Sequence, residues 1–256
     1  MPLLEVDHLS VRFRGLVAVN DVSFTVDRGD FVSIIGPNGA GKTTLFNVVA
    51  GAQSASSGEV RFSRQSTRRM DAGQMSRLGV GRTFQIARPF KSLTVRENVQ
   101  LAAARRETNS PILTFSLRRQ NREVRETVEA VLEETGLHAF ANTSASDLNM
   151  GNLRRLEIAR ALATEPQVLL LDEPAAGIGI DGIRPLAHLI REIRRRGLTV
   201  LLVEHHIGFA LSLSDRIVVL DGGRKIAEGE PETIRNDQRV IDAYLGTAVE
   251  EAGRGG

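Results

Sequence analysis

Apolar and polar residues alternate along the first part of the chain. Between residues 3 and 35 the runs Leu4-Glu5-Val6 and Val22-Ser23-Phe24-Thr25-Val26 place apolar side chains at every second position, with turn residues at Arg14-Gly15 and Asp27-Arg28-Gly29-Asp30. A period of two puts one face of a strand in a core and the other in water. These residues are therefore predicted to form short, mostly antiparallel strands, and Gly58–Phe62 another. Phe31–Ile35 is apolar almost throughout, as expected of a strand buried on both faces. The spacing then changes. Residues 44–50 read as a helix. From about 88 to 161 the pattern is helical: Thr94 opens one helix as a capping residue, and residues 117–135 carry Val124, Val128, Val131 and Leu132 at helical spacing. From 166, strand and helix alternate again through 168–172, 185–196, 199–203 and 217–220. The order predicts an α/β core with a mainly parallel sheet, an N-terminal antiparallel β part and a helical insert. Residues 1–87 and 162–246 would form the core and 88–161 the insert, within one domain spanning 1–246. Residues 247–256, which include Glu250–Gly256, read as a disordered tail.

Two of these strands end in chemistry. Gly36-Pro37-Asn38-Gly39-Ala40-Gly41-Lys42-Thr43-Thr44 fits G-x-x-x-x-G-K-[ST] at each fixed position. It lies between a predicted strand and a predicted helix, the context a phosphate-binding loop requires. Glycines let the backbone curl until successive N–H groups point at phosphate oxygens, and the helix N-terminus adds a partial positive charge. Lys42 is placed to reach the β- and γ-phosphates and Thr43 to ligate Mg²⁺. The second run, Val168–Leu171, ends in Asp172 and Glu173. The C-terminal end of a parallel strand is where such sheets place ligands. Asp172 is expected to hold Mg²⁺, and Glu173 to polarise a water attacking the γ-phosphate.

Composition narrows the setting. Hydrophobic residues are 41% and charged residues 25%, as in an ordinary globular protein. A formal charge of +2 supplies no strong field for nucleic acid, and the absence of cysteine excludes disulfides and thiolate metal sites. Met1–Asp7 does not read as a signal peptide, and no run approaches the roughly 20 apolar residues of a membrane span. Membrane association is expected through a partner. His8, His138 and His188 suggest no site, and Arg194-Arg195-Arg196-Gly197 reads as a helix C-terminus.

With the phosphate loop and the acidic strand end in place, the chain resembles the ATP-binding subunits of ABC transporters over nearly its whole length. Further motifs appear in that family's order. Thr83-Phe84-Gln85 resembles the Q-loop, Leu148-Asn149-Met150-Gly151-Asn152 the signature, Ala176-Gly177-Ile178-Gly179 the D-loop, and Glu204-His205 the H-switch. The resemblance implies roles. Phe13 would stack under adenine, Gln85 would sense Mg²⁺ and the γ-phosphate, and His205 would hold the γ-phosphate and the attacking water beside Glu173. Asn149, Met150, Gly151 and Asn152 would close the site of a facing subunit. Asn149 and Asn152 replace the usual Ser and Gln, and Gly179 replaces the usual Asp or Asn. Asn caps a helix as well as Ser, so the helix after the signature is expected to survive. His206 is expected on the opposite face from His205. Arg88-Pro89-Phe90-Lys91-Ser92-Leu93 reads as a surface for a membrane permease, unless Phe90 packs inward.

Within the family, Phe13–Asn20, Gly81–Gln85, Leu171–Gly177 and the ending Val240–Gly246 look like importers of branched-chain amino acids and related polar solutes, including urea. That resemblance implies ATP and Mg²⁺, permease subunits, a second ATPase in a homo- or heterodimer, and indirectly a solute-binding protein. It also implies a peripheral place on the cytoplasmic face of the inner membrane. The ATPase of lipopolysaccharide export shares the ending and is an alternative. So are a soluble regulatory ATPase, which usually carries two ATP-binding halves, and a weakly hydrolysing ATP-binding module.

Overall fold

The alternation at the start of the chain folds as a hairpin. In the computed structural model, which describes residues 1–83, 89–105 and 117–244, β1 (Pro2–Phe13) and β2 (Leu16–Asp27) pair antiparallel, with Leu4 opposite Val26 and Phe13 opposite Leu16. β3 (Phe31–Ile35) leaves this sheet. β4 (Ser57–Phe62) and β5 (Gln65–Ser66) complete a four-stranded antiparallel sheet in the order β2-β1-β4-β5.

The second sheet has six strands. With β6 (Val80–Arg82), β7 (Val168–Asp172), β8 (Thr199–Val203), β9 (Arg216–Asp221) and β10 (Arg224–Gly229), its order is β10-β9-β3-β8-β7-β6. The strands from β9 to β6 run parallel; β10 returns antiparallel at the edge. Every residue of β3, β7 and β8 is buried. Their side chains are shared between two cores. Val168, Leu170, Leu201 and Val203 face the antiparallel sheet and α1 (Lys42–Val49), whereas Leu169, Leu171, Val200 and Leu202 face the helices. A strand covered on both sides has no polar face, which is why these segments read as continuous apolar runs.

The helices of Val95–Arg105, Leu117–Glu134 and Met150–Leu162 pack on that second side. α2 (Ala72–Leu78) is short and closed by a capping box between Asp71 and Gln74. α3 (Val95–Arg105) starts as expected at Thr94, whose N–H donates to Glu97 Oε2 at 2.8 Å while its hydroxyl accepts from the Glu97 N–H at 3.2 Å. α4 (Leu117–Glu134) buries Val124, Val128, Val131 and Leu132, the stripe read from the sequence. α5 (Met150–Leu162) begins within the signature, and α6 (Ile180–Arg195), α7 (Ile207–Leu213) and α8 (Pro231–Arg235) come after it. α6 begins five residues before the expected 185, with Pro185 inside it. The tail 247–256 lies outside the described residues. Among the described residues, no helix is long and apolar enough to cross a membrane.

Candidate nucleotide site

β3, β7 and β8 are neighbours, and each hands its C-terminal end to one candidate motif. After β3 the backbone enters the phosphate loop. Gly36, Gly39 and Gly41 have φ of 156°, 80° and 92°. At Gly41 a Cβ would lie 2.2 Å from the Ala18 carbonyl oxygen, so the loop and the hairpin fit together only without a side chain there. The left-handed Gly41 is the N-cap of α1, and the helix therefore starts at Lys42 rather than at 44. Pro37 and Ala40 are buried, whereas Asn38, Gly39 and Thr43 are exposed and Thr44 is half-buried.

Lys42 is 5% exposed, and its ammonium donates to the Gly36 carbonyl at 2.7 Å and to the Pro37 carbonyl at 2.9 Å. Burial lowers its pKa, and the carboxylates of Glu173 and Glu204 oppose that shift. A buried cation held by carbonyls alone is poised to exchange them for phosphate oxygens, which are stronger acceptors.

Asp172 is 2% exposed at the end of β7. Its Oδ2 accepts from Arg82 Nη2 at 3.3 Å, its own N–H donates to Thr83 Oγ1 at 3.2 Å, and Oδ1 is buried without a hydrogen-bond partner. Burial pushes its pKa up; Arg82 holds it down. A buried, unpartnered carboxylate oxygen and the exposed Thr43 hydroxyl are hard donors of the kind Mg²⁺ takes alongside phosphates and water. No cluster of three or more acidic or imidazole groups suited to a metal occurs among the described residues, so Mg²⁺ fits here only with nucleotide oxygens completing its shell. Gln85, the third expected ligand, lies outside the described residues.

Glu173 follows with φ of 44°, a left-handed conformation unusual for a residue with a side chain. Its N–H donates to Val203 O at 2.9 Å, across to β8. Its Oε2 lies 3.9 Å from His205 Nδ1. The two histidines are not on opposite faces as expected. Their ring centroids are 4.3 Å apart. β8 has already ended at Val203, and His206 is the N-cap of α7, so strand alternation no longer applies.

Phe13 ends β1 with 45% of its surface exposed. Its hairpin partner strand contributes Ala18, whose carbonyl abuts Gly41, so the hairpin that ends at Phe13 lies against the phosphate loop. The signature lies at the start of α5. Asn149 is the N-cap, and its Oδ1 accepts from the Asn152 N–H at 2.9 Å. Met150 is 45% exposed beside it, and Gly151 is half-buried. Gly179 caps α6 without a side chain. Phe90 does not pack inward: it is 42% exposed, with the Arg160 guanidinium 5.4 Å from its ring centroid. Asn98 fixes its backbone through both the N–H and the carbonyl.

Three further groups at the site follow from no motif. Arg82 reaches Asp172. Arg154, buried in α5, donates to Ala176 O at 3.1 Å and faces Glu157, Glu204, Asp172 and Glu173. Tyr244 buries its hydroxyl against the Gly36 N–H, and burial raises its pKa. An arginine in an apolar helical run, as in Arg154-Arg155-Leu156, is the only sequence signal for any of them.

Residues 19–176 match the family model described as ABC transporter, and residues 224–250 match that described as branched-chain amino acid ATP-binding cassette transporter. The chain is 45% identical to the high-affinity branched-chain amino acid transport ATP-binding protein BraF of Pseudomonas aeruginosa, over 96% of this chain and 99% of that protein. It is 43% identical to LivG of Escherichia coli, of the same description, over 96% and 99%. A lipopolysaccharide export system ATP-binding protein, LptB of Acidithiobacillus ferridurans, is 35% identical over 95% and 97%. Among solved structures, a nucleotide-free ATP-binding cassette from an ABC transporter superposes with a TM-score of 0.82 at 30% identity, covering 95% of this chain and 99% of that one. A dimeric post-hydrolysis cassette bound to ADP and Pi, MJ0796, gives 0.76 at 26% identity, covering 89% and 98%.

Proposed function

Because the chain belongs to the ABC transporter family of ATP-binding subunits, we propose that it hydrolyses ATP to power uptake of branched-chain amino acids or closely related polar solutes. The observation that carries the hydrolytic reading is the meeting of Lys42, Asp172, Glu173 and His205 at the ends of three adjacent strands. The match over residues 224–250 supports the solute class, and the higher identity to BraF than to LptB favours import over lipopolysaccharide export.

In this reading Phe13 stacks against adenine. Backbone N–H groups from Gly36 to Thr44 receive the phosphates, and Lys42 turns from its carbonyls to the β- and γ-phosphates. Thr43, Asp172 and Gln85 would hold Mg²⁺, which would neutralise phosphate charge. Glu173 accepts the proton of the attacking water, and His205 orients that water and the γ-phosphate. Asn149–Asn152 of one subunit cover the γ-phosphate bound by another, so that ATP joins two subunits. The segment 88–161 acts as the helical insert and 1–87 with 162–246 as the core. Phe90 and its neighbours receive a permease at the cytoplasmic face of the membrane, and a solute-binding protein acts on the permease.

Reconstitution with the permeases and solute-binding protein tests the reading. ATP-dependent leucine uptake, lost with Lys42→Ala, is the expected result. ATP-dependent lipopolysaccharide extraction without amino-acid uptake would replace it with the export reading.

A further inference from the structure

The residue directly after β8 is a carboxylate that the hydrolytic scheme leaves without a role. Glu204 is 0% exposed. An isolated buried carboxylate is costly unless its oxygens are satisfied, and here both are. Oε1 accepts from the Ala175 N–H at 3.0 Å; Oε2 accepts from the N–H groups of His205 at 3.1 Å and His206 at 3.3 Å. The donors come from two separate segments. Ala175 lies two residues after Glu173, in the left-handed turn that leaves β7, and His205 begins the turn that leaves β8. The Glu204 N–H itself donates to Ile34 O at 3.2 Å, tying this point to β3 just before the phosphate loop. Arg154 grips the same turn from the other side, through Ala176 O.

We propose that Glu204 is a positioning residue that locks the Glu173 turn and the His205 turn in one register, so that the two act on one water. The Glu173 Oε2 to His205 Nδ1 separation of 3.9 Å is set by backbone on both sides, and one side chain holds both backbones. Burial pushes the Glu204 carboxyl up, and the Ala175 and His206 N–H groups oppose that shift. The three donors each need an acceptor, which glutamine cannot provide on both ends because its amide nitrogen carries hydrogens. The simpler role, a cap for α7, involves only the His205 and His206 amides. It leaves the Ala175 bond without a purpose.

The inference rests on the assignment of Glu173 and His205 to hydrolysis, and the experiment separates the two. In the full-length chain assembled with its permease, Glu204→Gln is expected to lower kcat about tenfold or more, with nucleotide affinity within about threefold of the parent. In a His205→Ala background the same substitution is expected to lower the single-turnover rate by a clearly smaller factor than in the parent, because the part of its effect that passes through His205 is absent. Should Glu204→Gln not fold, Glu204→Asp carries the same cycle, since the shorter carboxylate cannot span both turns. A kcat within about twofold of the parent overturns the proposal, as does an equal loss with and without His205, which is the behaviour of a structural cap. If the parent assembly does not hydrolyse ATP, the hydrolytic reading falls first.

Discussion

Arg82 reaches across from β6 to Asp172 at the end of β7, Nη2 to Oδ2 at 3.3 Å, and donates from the same nitrogen to Asn47 Oδ1 at 2.7 Å. Its guanidinium carbon sits 5.1 Å from the Phe46 ring centroid, so packing fixes the arm as well as the charge. The arginine supplies the positive charge that Asp172 needs in a buried place. Removing one partner of a buried pair strands the other charge. Arg82→Met is therefore expected to destabilise the nucleotide-free chain by about 2–4 kcal/mol, toward the low end because Arg82 retains some solvent contact. Mg²⁺ with ADP, which brings its own cation, is expected to restore more stability to the variant than to the parent. Thermal melts with and without Mg·ADP measure both. Equal melting temperatures in the absence of nucleotide would show that the pair contributes nothing.

Lys42→Ala removes the buried ammonium, the donor to the Gly36 carbonyl, and leaves the Pro37 carbonyl with the Ala40 N–H. Nucleotide affinity is expected to fall more than about tenfold, since the loop loses its side-chain cation opposite a triphosphate. Titration with a fluorescent ATP analogue reads this directly. Affinity within about twofold of the parent would remove Lys42 from the phosphate site.

Asn149 is expected to matter twice. As the cap of α5 it stabilises this chain, so Asn149→Ala should cost about 1 kcal/mol in chemical denaturation. In the proposed reading, Asn149 and Asn152 would complete a facing subunit's site with amides in place of a hydroxyl and a longer amide. A heterodimer with a second ATPase should then have unequal sites. The site on this chain's own phosphate loop should turn over normally, and the one completed by Asn149–Asn152 more slowly. Asn149→Ser with Asn152→Gln should raise turnover only at the partner's site. An ATP-driven homodimer with two equally active sites would contradict the asymmetry.

Much of this was legible because burial and chemistry leave periodic or fixed-spacing marks. Val168–Asp172 is a strand in the sequence and in the structure because a strand buried on both faces admits little but aliphatic residues. The phosphate loop is legible because its backbone conformation demands glycines at set positions. Short edge elements were not. Val80–Arg82 is only three residues long, and α2 and α7 have seven each, too few for a period to declare itself. The pairing of Arg82 with Asp172 joins residues far apart in the chain, and so does that of Glu204 with Ala175; no local pattern encodes either. His206 was misplaced by extending strand alternation one turn past the end of β8.

Hydrolysis at the Glu173–His205 pair is tested most directly by Glu173→Gln in the assembled transporter, with phosphate release and dimerisation followed together. The amide keeps the shape of the side chain but cannot take the proton of the attacking water. Phosphate release is expected to fall by about two orders of magnitude or more while ATP still binds and holds the subunits as a stable dimer. Phosphate release at the parent rate, with no ATP-trapped dimer, would contradict Glu173 as the base.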